Sequence, residues 1–367
     1  MKQIFDRRRL SIKPLASRQS KSDTRHMIDA ETPLPLISSE SAESIERVAE
    51  KIKKAKEVGA PVMMTYGAHL FKNGLSPLII KLMESGHLDH LSTNGAGTIH
   101  DWETAFQGKT EEDVKRYIKE GQFGIWEETG FYINLAVILG SYYGLGYGAS
   151  LGKMIQEDRL VLPAKESLRE ELAEELRQTI ISDRFQTIAS LAHTIEAFQL
   201  PAGTMVVKHP YKQFSIQAAA YRLGVPFNVF PGIGSDIIYS HPVNNGAAIG
   251  QSALHDFLNF TQGISQLEGG VFLSVGTSVM GPMTFEKSIS MSRNIALKEN
   301  RKLENYQIVV NDIQPGTWDW SQGEPPKEHP AYYLRFCKSF SRMGGEFLYL
   351  ELDNKAFVQH LFHLLCR

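Results

Sequence analysis

The sequence predicts an α/β fold, a single Rossmann-like doubly wound parallel sheet with helices on both faces. Three observations predict it. Short apolar runs alternate with amphipathic segments of ten or more residues from about residue 205 to the C-terminus, a pattern that suits parallel strands joined by crossover helices. Three of the six predicted strand ends run into Gly-, Ser- or Thr-rich turns, and others end in a carboxylate. No sequence repeat, low-complexity tract or glycine-rich linker marks a second domain, so residues 41–367 are assigned to one domain.

Residues 1–40 carry charges, Ser and Pro with few large apolar side chains, which predicts a loosely held arm. Either it is a mobile tail, or it packs on a neighbouring subunit. Ser41–Val58 places Ile45, Val48, Ile52 and Ala55 at helical spacing, so an amphipathic helix opens the domain. Pro61–Tyr66 reads as a buried strand, Leu75–Ser85 as a helix and His90–Thr93 as the second strand. Helix-forming residues resume at Trp102 and run to about Phe106, after the small-residue stretch Asn94-Gly95-Ala96-Gly97. Glu111–Lys119 reads as polar and helical, and Phe131–Met154 as an apolar, glycine-containing packed helix. Glu166–Gln178 alternates Glu and Arg as a solvated helix face does, and Ser182–Phe198 reads as a helix capped by Ser182.

Beyond Met205–Lys208 the βα alternation is regular. Helices are predicted at Tyr211–Leu223, Gly246–Gln262, Pro282–Leu297, His329–Arg342 and Asn354–Leu365. Strands are predicted at Pro226–Phe230, Val271–Val275, Tyr306–Asn311 and Glu346–Leu352.

Composition narrows the function. The 367 residues are 42% hydrophobic and 22% charged, and carry 39 basic against 41 acidic residues. That balance gives no footprint for nucleic acid. The two cysteines, Cys337 and Cys366, are too few for a disulfide framework and fit a reducing cytoplasm. The start, from Met1-Lys2-Gln3 to Arg9, is basic with no apolar stretch behind it, so no secretory signal is expected. Only Phe131–Ala149 approaches a membrane span, and Asn134, Ser141 and its glycines favour a buried segment. His209-Pro210 and His241-Pro242 lack metal-ligand spacing, so no metal is expected.

Ligands of doubly wound sheets sit beyond the carboxyl ends of the strands. Those ends read Gly67-Ala68-His69, Asn94-Gly95-Ala96-Gly97, Pro231 to Asp236, Ser274 to Ser278, Asn311-Asp312, and Glu351 with Asp353. Glycines permit close approach of backbone to phosphate, and a helix N-terminus offers N–H groups and partial positive charge. Carboxylates suit ribose hydroxyls or a cationic substrate. Together the ends favour a nucleotide pocket over a purely structural rim. His69 and His100 follow strand ends and are placed either to contact a ribose or move a proton, or simply to bond within a loop. Trp318 and Trp320 flank Asp319 and either wall a cationic ligand or pack beneath the loop.

In their order, these motifs resemble the deoxyhypusine synthase family from Ala60 to the C-terminus. Thr93-Asn94-Gly95-Ala96-Gly97-Thr98-Ile99-His100-Asp101 is similar to that family's Thr-Thr-Ala-Gly-Gly-Val-Glu-Glu-Asp. Asn73-Gly74-Leu75 is similar to its Ser-Gly-Ile, and Val225-Pro226-Phe227 through Tyr239 to its Ile-Pro-Val-Phe and Gly-Asp-Met-Ile-Phe stretches. Val275-Gly276-Thr277 stands where the family has three glycines.

The resemblance implies a homotetramer with bound NAD. The family takes hydride from spermidine onto NAD and passes the aminobutyl group through a lysine imine to a protein lysine. Asp236 falls on a carboxylate that holds the polyamine. Asp319, in the loop Thr317 to Gln322, and Glu328 stand at further acidic positions, and Asp101 is retained behind Ile99 and His100. The implied catalytic set is therefore Asp236, Asp319, Glu328 and His100. The implied NAD-binding set is His69, Asn94, Gly95, Ala96, Gly97, Asp101, Gly276, Thr277, Asp312 and Glu351. The family's Trp-Gly-Lys is replaced by Tyr332-Tyr333-Leu334 followed by Arg335, so the nucleophilic lysine is missing, and an arginine has no free amine to replace it. Lys327 and Lys338 are the nearest lysines. The expectation is a cytoplasmic protein binding NAD and a small polyamine-type amine, with aminoalkyl-transfer or redox chemistry that avoids the imine. The alternative is a catalytically inactive nucleotide-binding or assembly protein of the same fold.

Overall fold

The structure, a computed structural model, describes residues 4–316 and 318–367, with the side chain of Ser321 excepted. Met1–Gln3 and Thr317, both drawn on in the sequence reading, lie outside the described residues. The chain divides into two compact units. One holds residues up to 24, 98–222 and 231–256; the other holds 25–97, 223–230 and 257–367. The sequence reading placed 41–367 in one domain.

The second unit contains the parallel sheet. Its strands are β1 (Val62–Tyr66), β2 (His90–Asn94), β3 (Phe227–Phe230), β4 (Val271–Val275), β5 (Gln307–Asp312) and β6 (Glu346–Glu351). Their order is β3-β2-β1-β4-β5-β6, and every neighbouring pair is parallel. This is the doubly wound arrangement of dinucleotide-binding sheets. All five residues of β1 and all five of β4 are buried, as strands covered on both faces require. One layer of core joins Met63, Phe260, Phe272, Phe285, Ile308 and Phe340. The Ser39–Glu57 helix buries Ile45, Val48, Ile52 and Ala55 and packs against the Asn354–Cys366 helix.

The first unit is largely helical. Helices Glu127–Tyr142, Tyr147–Glu157, Lys165–Arg177 and Arg184–Ala197 accompany two antiparallel ribbons. Ser20–Asp23 pairs with Lys109–Glu112, and Arg159–Leu162 with Gly203–Val206. The start of the predicted loose arm is tied down here. Arg18 donates to both carboxylate oxygens of Glu103 at 2.7 Å, with both side chains buried.

Some boundaries differ for identifiable reasons. The predicted helix over Phe131–Met154 is two helices, because Gly144 takes a left-handed φ of +74° and ends the first. Glu111–Lys119 begins as strand because residues 109–112 pair with the arm; Asp113 then caps the Val114–Lys119 helix. The helix predicted from Tyr211 starts at Ile216, where Ser215 Oγ accepts the Ala218 N–H at 3.0 Å. Ser182 caps nothing: its hydroxyl donates to Glu175 at 2.7 Å. His329–Arg342 is a 3-10 turn at Pro330–Tyr333 and a helix at Arg335–Ser341, separated at Leu334 with ψ 74°. No helix among the described residues is long and apolar enough to cross a membrane.

Candidate functional site

The strand order reverses between β1 and β4, and a sheet of this kind takes its ligand at that switch point. There the Gly67 N–H donates to the Val275 carbonyl at 3.1 Å, and the Gly276 N–H to the Asn311 carbonyl at 2.9 Å. A Cβ on Gly67 would lie 2.1 Å from the Gly276 carbonyl oxygen, so only glycine lets the two loops meet. Gly276 has φ +58°, and a Cβ there would meet nothing nearer than Asn354 Nδ2 at 3.6 Å. One glycine closes the floor of the switch point and the other leaves its surface open. Thr277 Oγ1 accepts the Gly281 N–H at 3.0 Å at the start of the Met280–Lys298 helix. Asn73 donates to Asn354 at 2.6 Å beside it. His69 is exposed on the short helix that follows Gly67.

The turn after β2 is more committed to structure than its glycines suggest. The Gly97 N–H donates to Asn94 Oδ1 at 2.9 Å, capping the Gly95–Gln107 helix. A Cβ on Gly97 would stand 2.2 Å from Thr93 Oγ1, and that hydroxyl donates to the Tyr66 carbonyl at 2.8 Å. Packing explains Gly97 fully. Ala96 and Asn94 are half-buried, and the Asn94 carboxamide places an uncharged group where dinucleotide sheets usually hold an acid for the ribose.

On the far strands, Asp312 Oδ1 accepts the Gln314 N–H at 3.1 Å and Glu351 Oε2 the Gly316 N–H at 3.1 Å. Asn311 is fully buried; its amide donates to the Leu352 carbonyl at 2.7 Å, while its Oδ1 has no hydrogen-bond partner. Asp319 is exposed and accepts from Gln322 at 2.9 Å. Trp320 packs into the core with its ring centroid 6.2 Å from Phe347, and Trp318 donates to the Gly323 carbonyl at 2.8 Å. Glu328 and Lys327 are exposed. Lys338 is paired with Glu324 at 3.2 Å and stands 3.5 Å over the Tyr332 ring.

The first unit holds a separate buried polar cluster. Asp101 Oδ2 accepts the Gln217 N–H at 3.1 Å, Gln217 donates to the Thr98 carbonyl at 3.1 Å, and burial pushes the Asp101 carboxyl up to about 7. Asp236 accepts the Gly232 N–H at 2.7 Å, and burial pushes it up to about 6. Burial and the Asp236 charge push the fully buried Tyr147 phenol well up, with Tyr239 and Asp256 also in electrostatic reach. Asp256 Oδ2 accepts the Gly148 N–H at 3.0 Å, fixing the start of the helix that carries Tyr147. Asp101 Oδ1, Gln217 Oε1 and the Tyr147 and Tyr239 hydroxyls make no hydrogen bond of good geometry. Buried polar groups of this kind normally find a partner, whether protein, water or ligand. His100 faces elsewhere, with Nδ1 2.8 Å from Thr110 Oγ1.

The structure thus brings His69, Gly276, Thr277, Asn94 to Gly97, Asp312 and Glu351 to one edge of one sheet. It places Asp101, His100 and Asp236 in the other unit. Tyr147, Gln217, Tyr239 and Asn354 escaped the sequence reading. Tyr147, Gln217 and Asn354 lie in helices and Tyr239 in the 3-10 turn Ile237–Ser240, and only the folded environment gives them chemical meaning.

Fold and edge define the class, a doubly wound α/β protein with dinucleotide-type strand order. No family model and no curated protein matches the chain. Among solved structures, it is similar to AgrE in a ternary complex with ornithine and NAD+, at 14% identity and a TM-score of 0.44, covering 90% of this chain and 34% of that one. ArgZ, an arginine dihydrolase from cyanobacteria, gives 12% identity and a TM-score of 0.40 over 90% of this chain and 33% of that one. A conserved LOR/SDH protein from Methanococcus maripaludis S2 gives 12% identity and a TM-score of 0.44, over 92% and 71%. The chain spans about a third of the length of AgrE and ArgZ. Likenesses this weak assign nothing, and the site stands on the chain's own geometry.

Proposed function

We propose that the protein binds NAD at the β1–β4 switch point and a small polyamine-type amine at Asp236, as a deoxyhypusine synthase-like protein that works without a lysine imine. The strand order with Gly67 and Gly276 at the point of reversal is the observation that carries the reading. Gly276, open above its backbone, and Thr277 suit the close approach of a pyrophosphate, and Asn94 suits a ribose hydroxyl. NAD, when bound, supplies a hydride acceptor for an amine substrate. Asp236 supplies the negative charge for an ammonium, which would lower its raised pKa on binding. The engagement of Lys338 with Glu324 and the exposure of Lys327 argue against an imine and support redox or direct transfer.

Calorimetric titration with NAD, with and without spermidine, tests the reading. Saturable NAD binding that tightens with spermidine is expected, and absence of NAD binding overturns it. NAD binding without NADH formation from any amine supports the second reading, a catalytically inactive nucleotide-binding or assembly protein, which the missing nucleophilic lysine also favours.

A further inference from the structure

The first unit carries an open cavity of about 410 Å³ that no step above uses. Its walls come from the Glu127–Tyr142 and Tyr147–Glu157 helices, the Arg159–Leu162 strand and Tyr221. A Cβ on Gly140 would lie 1.7 Å from Ser150 Oγ, so the glycine lets the two helices approach closely there. Ala136, Leu139, Leu145, Met154 and Leu160 line the interior. Ser150, a polar residue in the lining, turns its hydroxyl to the Gly146 carbonyl at 2.5 Å, leaving the wall apolar.

The mouth is different. Lys153 and Arg159 face a single carboxylate, Glu157, so two cations stand against one anion. Lys153 also donates to the Tyr221 hydroxyl at 3.3 Å, which in turn donates to Glu157 at 3.4 Å, and the Lys153 ammonium lies 5.6 Å over the Tyr221 ring. Arg159 reaches Glu157 only through Nε, at 3.4 Å, and its terminal guanidinium nitrogens hold no side-chain partner among the described residues. An apolar-lined pocket of this size suits a small molecule, and the excess of cation over anion at its entrance selects the sign of the polar end.

We propose that this cavity binds a small organic carboxylate with an apolar body, its carboxylate on the terminal guanidinium nitrogens of Arg159 and its body against Leu139 and Met154. Cations are disfavoured, because Lys153 and Arg159 would repel them. A neutral isostere fills the interior equally well but forfeits the charge-assisted bonds.

Isothermal titration of the full chain with octanoate, octanamide and octylamine tests this. One saturable site for octanoate is expected, with octanamide about tenfold weaker and octylamine weaker still. Leu139→Trp, which fills the interior, should abolish binding while circular dichroism stays native. Should that variant fail to fold, R159Q carries the test, since the side chain is half-exposed: octanoate should weaken about tenfold and octanamide should not change. Equal binding of octanoate and octanamide, tighter binding of octylamine, unchanged octanoate binding by R159Q, or no saturable site in the wild type would each overturn the proposal.

Discussion

Arg18 and Glu103 are each 1% exposed at the side chain and share two 2.7 Å hydrogen bonds, with Thr110 and Thr129 satisfying the rest of the carboxylate at 2.8 and 3.0 Å. Burial opposes the charge on Glu103, and the guanidinium overcomes it and holds the carboxyl below its usual range. Removing one partner strands a buried ion, so Arg18→Met is expected to destabilise the fold by about 3–5 kcal/mol in urea unfolding. Arg8→Ala, at an exposed pair, should leave the midpoint where it is. Asp101 gives the complementary prediction. Its carboxyl is raised to about 7 in the fold, so its stabilising contribution is full below the unfolded value of about 4 and is lost as pH rises through about 7. Asp101→Asn keeps an acceptor for the Gln217 N–H and should flatten the pH dependence of the unfolding midpoint across that window. A wild-type slope retained in the variant would place the dependence on other groups, with Asp236 the first to examine.

Elements were legible wherever apolar periodicity and a stop signal coincided. In the βα alternation after Met205, Val271–Val275 and Asn354–Cys366 appear nearly residue for residue because uninterrupted patterns meet clear breaks, whereas the segments from Tyr211 and His329 are shortened or split. The short ribbons were illegible because pairing creates them: Ser20–Asp23 and Lys109–Glu112 are polar stretches that only each other's backbone makes into strands. The candidate site was half legible. Glycine-rich strand ends marked the edge, but sequence could not show that Gly97 serves Thr93 while Gly276 stays open, nor that Tyr147 is buried near Asp236. Asn94 at the end of β2 yields a prediction at this scale. Without a carboxylate to repel a 2′-phosphate, NADP should bind within about tenfold of NAD. Asn94→Asp keeps the oxygen that caps the Gly97 N–H and adds negative charge at a helix start, so the fold should hold while NADP weakens by at least about tenfold relative to NAD. Parallel titrations of both nucleotides read the ratio, and an unchanged ratio would remove Asn94 from the ribose site.

For the whole molecule, the division into two units separates the proposed NAD site from the proposed amine site in the chain, and this makes the two ligands distinguishable by where they protect backbone. The switch-point loops, 67–72 and 276–281, belong wholly to the unit with the parallel sheet, whereas Gly232–Ser240 belongs to the other. A ligand that binds only the folded form slows local opening where its contacts lie, by an amount set by its concentration over Kd. Amide hydrogen exchange with saturating NAD should therefore slow at 67–72 and 276–281 while the ribbon at 159–162 and 203–206 exchanges at its free rate. Spermidine should slow exchange at 232–240, where Gly232 already donates to Asp236, and Asp236→Asn should erase that effect without touching the NAD-dependent protection. Protection by NAD at 232–240 alone would move the nucleotide out of the sheet edge. Uniform slowing throughout the chain would instead report global stabilisation and deny the switch point its special role.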